Sequence, residues 1–204
     1  MCRTRQGAIR WGGGRRRAAL KTRDARVPPL AGTFEQHRGV TMQTITPNLW
    51  FDGQAEEAVD FYVSVFKNAK ITSTVRFGKA GAEGSGMPEG SVMMISFSLD
   101  GQQFTALNGG PQFTFSEAVS FIVNCKDQEE VDYYWAKLTQ GGDEKAQICG
   151  WLKDRFGVSW QVVPVALQEM LRDKDPAKVD RVMKAIFPMK KLDLAALKRA
   201  YEGK

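Results

Sequence analysis

From Ile45 onward, apolar and polar positions alternate in short runs that twice give way to a helical period. ITPNLWF (Ile45–Phe51) reads as a strand, and in the segment after it Ala58, Phe61, Tyr62 and Val65 fall on one helical face. KITSTVRF and SVMMISFSLD follow as strands. QQFTAL is then the return arm of a hairpin turned by Asp100-Gly101, a strong turn dipeptide. The order then repeats. VSFIVNC (Val119–Cys125) is a strand, Val131, Tyr134, Trp135 and Leu138 form a second helical face, and EKAQI, CGWLK and VSWQVVP read as strands, the first of them the weakest.

The helices themselves echo one another. Glu56-Glu57-Ala-Val-Asp-Phe-Tyr62 recurs as Glu129-Glu130-Val-Asp-Tyr-Tyr134, offset by 72 or 73 residues across one inserted Ala. Two copies at so long a period fit a duplicated module packed about a pseudo-twofold, not a solenoid. The expected fold is therefore α+β, with two strand–helix–three-strand modules over 42–110 and 111–164 and a helical extension over 165–204. In that extension Asp175 caps and Pro176 opens a helix with an apolar stripe of Val179, Val182, Met183, Ile186 and Phe187. Asp193 caps a last helix over Leu194–Tyr201 that ends near Gly203. Lys178, Arg181 and Lys184 lie off the stripe and read as a solvated face. GGPQFTFSE (Gly109–Glu117) links the modules, and Gly78–Gly90 reads as a long flexible surface loop, with a lid as its functional alternative.

Charge separates the first residues from the rest. The 204 residues sum to +6, but 1–41 hold ten Arg or Lys against Asp24 and Glu35, so 42–204 sum to −2. The folded part is not basic, and a nucleic-acid partner is expected only if the Arg-rich segment is native. WGGGRRR and VPPLAG read as disorder, and no apolar run there is long enough for a secretory signal or a membrane span. Met42 reads as the working start. Cys2, Cys125 and Cys149 have no CxxC spacing and are odd in number, which argues for a reducing compartment, the cytoplasm, and against a disulfide framework or a Cys-based zinc site. Cys125 reads as a small buried apolar residue.

TPNLWFDGQAEEAVDFY, FTALNGGPQFTFSEAVSFIVNC, QEEVDYYWAKLTQGG and CGWLKDRFGVSWQVVP cover most of residues 44–164. Together they resemble the vicinal oxygen chelate superfamily of glyoxalase I, bleomycin-resistance proteins and extradiol dioxygenases. The closer match is its PhnB-like branch, which carries a 3-demethylubiquinone 3-methyltransferase label. The resemblance implies sheets curled into a cup, with a metal commonly held by one inward His, Glu or Gln from each of four strands. Carried onto this chain, those slots fall near Thr46, Phe104, Ser120 and Gln161. Residues 42–204 contain no histidine, and one amide beside two hydroxyls and a ring is a feeble donor set for a divalent ion. No metal and no other cofactor are expected.

An inward amide must still find partners, because burying it unpaired costs about 1–3 kcal/mol. Period-two alternation groups Thr46, Asn48 and Trp50, then Ser120, Ile122 and Asn124, then Ser159 and Gln161. If these rows converge, Asn48, Trp50, Phe104, Ser120, Asn124, Trp151 and Gln161 line the cup, and an aromatic box with a few amides suits a small, weakly polar organic molecule. The alternative is an enzyme of glyoxalase, lyase or dioxygenase type with a metal supplied at an interface, or a methyltransferase as the branch label suggests. The acid–base candidates are Tyr62, which lies on a core face, and Asp154, which sits in a turn where an Asp usually bonds backbone amides. No GxG turn opens a helix after a predicted strand, so the methyl-transfer label draws no support from the residues.

A homodimer is expected, because open cups leave strand edges and apolar rims to cover, with the tail around Val179–Phe187 taking part. No membrane partner is expected. A chain beginning at Met42 is expected to melt at the temperature of the 204-residue chain. Circular dichroism thermal scans of both check this, and a drop of many degrees on truncation refutes it.

Overall fold

The computed structural model describes residues 44–204, so the reading of 1–41 and of Met42 as the start lies outside the described residues. Two open sheets carry the architecture. The first joins β1 (Asn48–Phe51), β2 (Ala69–Arg76), β3 (Val92–Leu99) and β4 (Gln102–Asn108) in the order β1-β4-β3-β2, with β1 parallel to β4 and the other pairs antiparallel. The second joins β5 (Phe121–Cys125), β6 (Trp151–Lys153) and β7 (Ser159–Pro164) in the order β5-β7-β6, with the same parallel first-to-last pairing. Helices α1 (Ala55–Val65) and α3 (Gln128–Leu138) cross between the first and second strands of each module, as the repeated pattern predicts. The order β1-α1-β2-β3-β4 and its echo β5-α3-β6-β7 confirm the α+β duplication.

One predicted strand is replaced by a turn. Within EKAQI, Glu144–Ala146 is a short 3₁₀ segment, because the Asp143 carboxylate accepts from the Lys145 amide at 2.9 Å and draws the backbone away from a ladder. Ile148 then pairs with Trp151 across a tight turn at Cys149-Gly150, both at positive φ (54° and 84°). The second sheet accordingly has three strands. The stretch Gly78–Gly90 also differs from its reading as a loop. It contains α2 (Lys79–Ser85), ended by Gly86 at φ 76°, and none of that helix is buried. The hairpin at Asp100-Gly101 (φ 46° and 88°) is as predicted.

The same side of each sheet, the one its helix covers, points into a single core. Leu49, Phe51, Ala106, Val123, Cys125 and Val162 share one cluster with Ala58, Phe61 and Tyr62 of α1 and with Val131 and Leu138 of α3. Asn108 is buried where β4 meets α1: its Oδ1 accepts from the Ala55 amide at 2.9 Å and its Nδ2 donates to Val92 O at 2.9 Å. That capping of the first free helical amide ties α1 to the sheet.

Asp154 locks the modules together. Its Oδ2 accepts from the Tyr62 hydroxyl of α1 at 2.8 Å and from Trp160 Nε1 of β7 at 2.8 Å. Its Oδ1 accepts from the amides of Phe156 and Val158 at 2.9 and 3.0 Å. The turn role read from sequence is therefore present, and an inter-module bond is added to it.

The tail forms α4 (Val165–Leu171), α5 (Pro176–Ile186) and α6 (Leu194–Glu202), with Asp175 and Asp193 accepting from the amides of Ala177 and Ala196 as N-caps. The α5 stripe buries Val182 and Ile186 but leaves Phe187 at 63% exposure. Arg181 is not merely solvated: it donates to Ala200 O and Tyr201 O, both at 2.9 Å, at the electronegative end of α6. The tail docks on the second module, where Cys149 N and Gly150 N donate to Met189 O and Lys190 O at 2.7 and 2.8 Å.

Removing the Tyr62 hydroxyl (Tyr62→Phe) deletes one donor and is expected to cost about 1 kcal/mol. Asp154→Ala strands donors from both modules and is expected to cost about 3 kcal/mol or more. Urea unfolding midpoints measure both, and an Asp154→Ala loss no larger than that of Tyr62→Phe contradicts the inter-module role.

Candidate functional site

Because the helix-covered sides meet in the core, the other sides of the two sheets face outward. Asn48 and Trp50 lie on the outward side of the first sheet, and strand register sets them against Thr105 and Leu107. Ser120, Ile122 and Asn124 lie on the outward side of the second sheet, with Trp151 and Gln161 directly paired beside them. Phe104 falls on the opposite side from Asn48. It is buried in the core, stacked on Phe97 at 5.4 Å. Phe104 thus faces the other way from Asn48 and Trp50, since neighbouring residues of a strand point to opposite faces.

The seven candidates therefore do not close one cup within a chain. Trp151 and Gln161 open onto a cavity of about 540 Å³ whose far wall is the tail: Leu167, Leu171, Arg172, Met183, Ile186 and Phe187. Cys149 and Gln168 also border it. Ser120 reaches this cavity through Gln161, whose Nε2 donates to Ser120 Oγ at 2.9 Å. Asn124 is exposed and accepts from Gln168 Nε2 at 2.7 Å; with Phe104 it lines a different cavity at the seam of the modules. Asn48 is exposed and accepts from Thr105 Oγ1 at 2.7 Å.

Trp50 lines a third space of about 270 Å³ beside the linker. Its indole N–H donates to Gly110 O at 2.8 Å, and Phe113 packs edge-on to its ring at 5.0 Å. Gly109 is obligatory there, since a Cβ on it would stand 2.2 Å from the Trp50 ring. None of Gly78–Gly90 lines these three cavities, so the lid reading of that stretch finds no support.

The four positions that the resemblance implies for a metal lie in different surroundings. Thr46 is exposed ahead of β1, Phe104 is in the core, and Ser120 and Gln161 are hydrogen-bonded to each other. Among the described residues, no three His, Cys, Asp or Glu side chains cluster so as to hold a metal ion. The residues present do not fit a divalent ion.

The titratable groups singled out from sequence serve the core. Burial pushes the Tyr62 phenol well above its ordinary value, and the Asp154 carboxylate beside it adds to the rise. Burial also pushes the Asp154 carboxyl up, opposed by the bonds from Trp160, Tyr62, Val158 and Phe156. Neither residue lines a cavity described above. Cys125 is fully buried as expected, and burial, reinforced by Glu130 and Asp127, pushes its thiol up to about 12. What sequence reasoning missed is the tail's half of the cavity. The signal available was the α5 stripe, of which Met183, Ile186 and Phe187 line the cavity.

Two sheets of one duplicated strand–helix–strands module, each with its first strand parallel to its last, are the architecture of the vicinal oxygen chelate superfamily. The family model of 3-demethylubiquinone-9 3-methyltransferase matches residues 43–163, and the chain belongs to that PhnB-like family. The PhnB protein from Bacillus cereus is 36% identical over 60% of this chain and 100% of its own, with a TM-score of 0.53. Protein PA1353 from Pseudomonas aeruginosa is 21% identical over 60% of this chain and 98% of its own, with a TM-score of 0.47. The fosfomycin resistance protein FosX from Mesorhizobium loti is 13% identical over 66% of this chain and 100% of its own, with a TM-score of 0.46. No curated protein matches the chain. No helix among the described residues is long and apolar enough to cross a membrane.

Proposed function

We propose that this chain binds a small, weakly polar organic molecule, without a divalent metal, in the cavity between the second sheet and the helical tail. The observation that carries this reading is the Gln161 amide, anchored by Ser120 and set beside Trp151, opening onto about 540 Å³ of mostly apolar wall. A space of that size, with few oriented polar groups in an apolar lining, is the usual form of a small-molecule site. Gln161 keeps its amide oxygen for a donor on the ligand, and Arg172 sits at the wall for an acidic or carbonyl group. The family's description names a methyl transfer. The cavity's titratable lining groups are Cys149 and Arg172 alone, and an arginine stays protonated, so proton transfer would fall to one thiol. Binding is the better-supported function.

We also propose a homodimer in the cytoplasm. The free cysteines Cys125 and Cys149 suit a reducing compartment. Both outward faces carry exposed apolar side chains, Ile45 and Phe113 beside the first and Val119, Ile122, Ile148 and Phe187 around the second, which a second copy would cover.

Screening neutral and weakly acidic organic molecules by thermal shift is expected to give hits that raise the melting temperature by mass action. Zn²⁺, Ni²⁺ or Mn²⁺ alone is expected to give no rise, and Gln161→Glu none either. Gln161→Leu and Trp151→Ala are each expected to weaken a hit by about tenfold. One metal per chain by elemental analysis, or hits indifferent to both variants, refutes the reading. Light scattering at tens of micromolar, on the order of an ordinary dimer's working range, is expected to give twice the 22.7 kDa chain mass, and a monomer mass refutes the dimer.

A further inference from the structure

A second cavity, of about 600 Å³, lies at the seam between the modules, lined by rings from the helix-covered side together with Ile122 and Asn124 of β5. Five rings run around it in successive contact: Phe104 to Phe121 (5.2 Å between centroids), Phe121 to Trp160 (5.5 Å), Trp160 to Phe66 (5.5 Å) and Phe66 to Tyr134 (5.3 Å). At its mouth the turn after α1 meets the β3–β4 hairpin through one backbone bond, Asp100 N to Asn68 O at 3.0 Å. Lys67 and Asp100 flank that bond, and both line the cavity.

The two charges are of opposite sign and line the same cavity, yet among the described residues neither takes part in an ion pair, and Lys67 Nζ lies 6.0 Å from the centroid of the Tyr133 ring. Glu130, at the same mouth, is already matched with Lys126 at 3.3 Å. The arc ends on a phenol: burial, with the carboxylates of Asp100 and Glu130, pushes Tyr134 up to about 12, so it remains a neutral donor.

We propose that this cavity binds a small aromatic zwitterion of the α-amino-acid type, with its ring on the aromatic arc, its ammonium at Asp100 and its carboxylate at Lys67. Ring-on-ring contact supplies the apolar part. The ammonium gains from the neighbouring ring faces as well as from Asp100. This cavity shares Ile122 with the cavity of Gln161 and Trp151 but none of its polar lining groups, so variants at Asp100 and Lys67 test it separately.

The test is a backbone-amide NMR titration of the full chain with L-phenylalanine, phenethylamine, which lacks the carboxylate, and 3-phenylpropanoate, which lacks the ammonium. L-Phenylalanine is expected to bind best, with a Kd on the order of 1 mM, moving the amides of Asn68 and Asp100. Asp100→Asn suits the left-handed turn residue, so the hairpin is kept. It is expected to weaken L-phenylalanine and phenethylamine about threefold to fivefold and to spare 3-phenylpropanoate. Lys67→Met, on an exposed side chain, is expected to weaken L-phenylalanine and 3-phenylpropanoate and to spare phenethylamine. Either variant alone decides the charge assignment. Equal affinity for the three probes, shifts confined to the neighbourhood of Gln161, or no shift at about 20 mM overturns the proposal.

Discussion

A carboxylate removed from water must be given donors to replace it, and Asp154 draws its four from both halves of the duplication. Two are amides of its own turn, one is the indole of the strand that follows, and one is the hydroxyl of Tyr62 on the helix of the other module. Loss of that set would leave a buried anion or several buried donors unpaired, each far costlier than an ordinary hydrogen bond. The arrangement therefore admits little slack. Tyr62 also touches Phe97, Phe156 and Trp160, so the bond that satisfies the charge sits inside the packing that joins the sheets.

That constraint sets which faces of the sheets stay open. With α1 held against the second module, the helix-covered sides of both sheets meet and the remaining sides turn outward, away from one another. A single chain then offers separate surfaces in place of one shared cup. The tail covers the second sheet only, pinned where Cys149 and Gly150 donate to Met189 and Lys190, and the space left beneath it is the cavity of Gln161 and Trp151. The first sheet's outward Trp50 is instead held by the linker through Gly110 and Phe113.

The chemistry follows the same division. Tyr62, Asp154 and Cys125 are spent inside, where burial raises all three and keeps them from solvent. The groups lining the cavity of Gln161 and Trp151 are mostly amides and apolar or aromatic side chains, with Cys149 and Arg172. Ser120 and Gln161 bind each other at the edge of that cavity.

By itself the sequence determined the local and repeated features. The doubled pattern specified α1 and α3, the Asp100-Gly101 hairpin, the capped helices at Asp175 and Asp193, and the alternation that puts Gln161 opposite Trp160 and Val162. Each depends on neighbours within a few residues. Tertiary structure decided what depends on distant pairing. Phe104 went to the core because register set Thr105 beside Asn48, and Arg181 found carbonyls on another helix. The candidate cup was legible as a set of residue types, but its division among three cavities was not. Period-two alternation states which side chains share a face of one strand, and only the packing of the modules around Asp154 states where that face points.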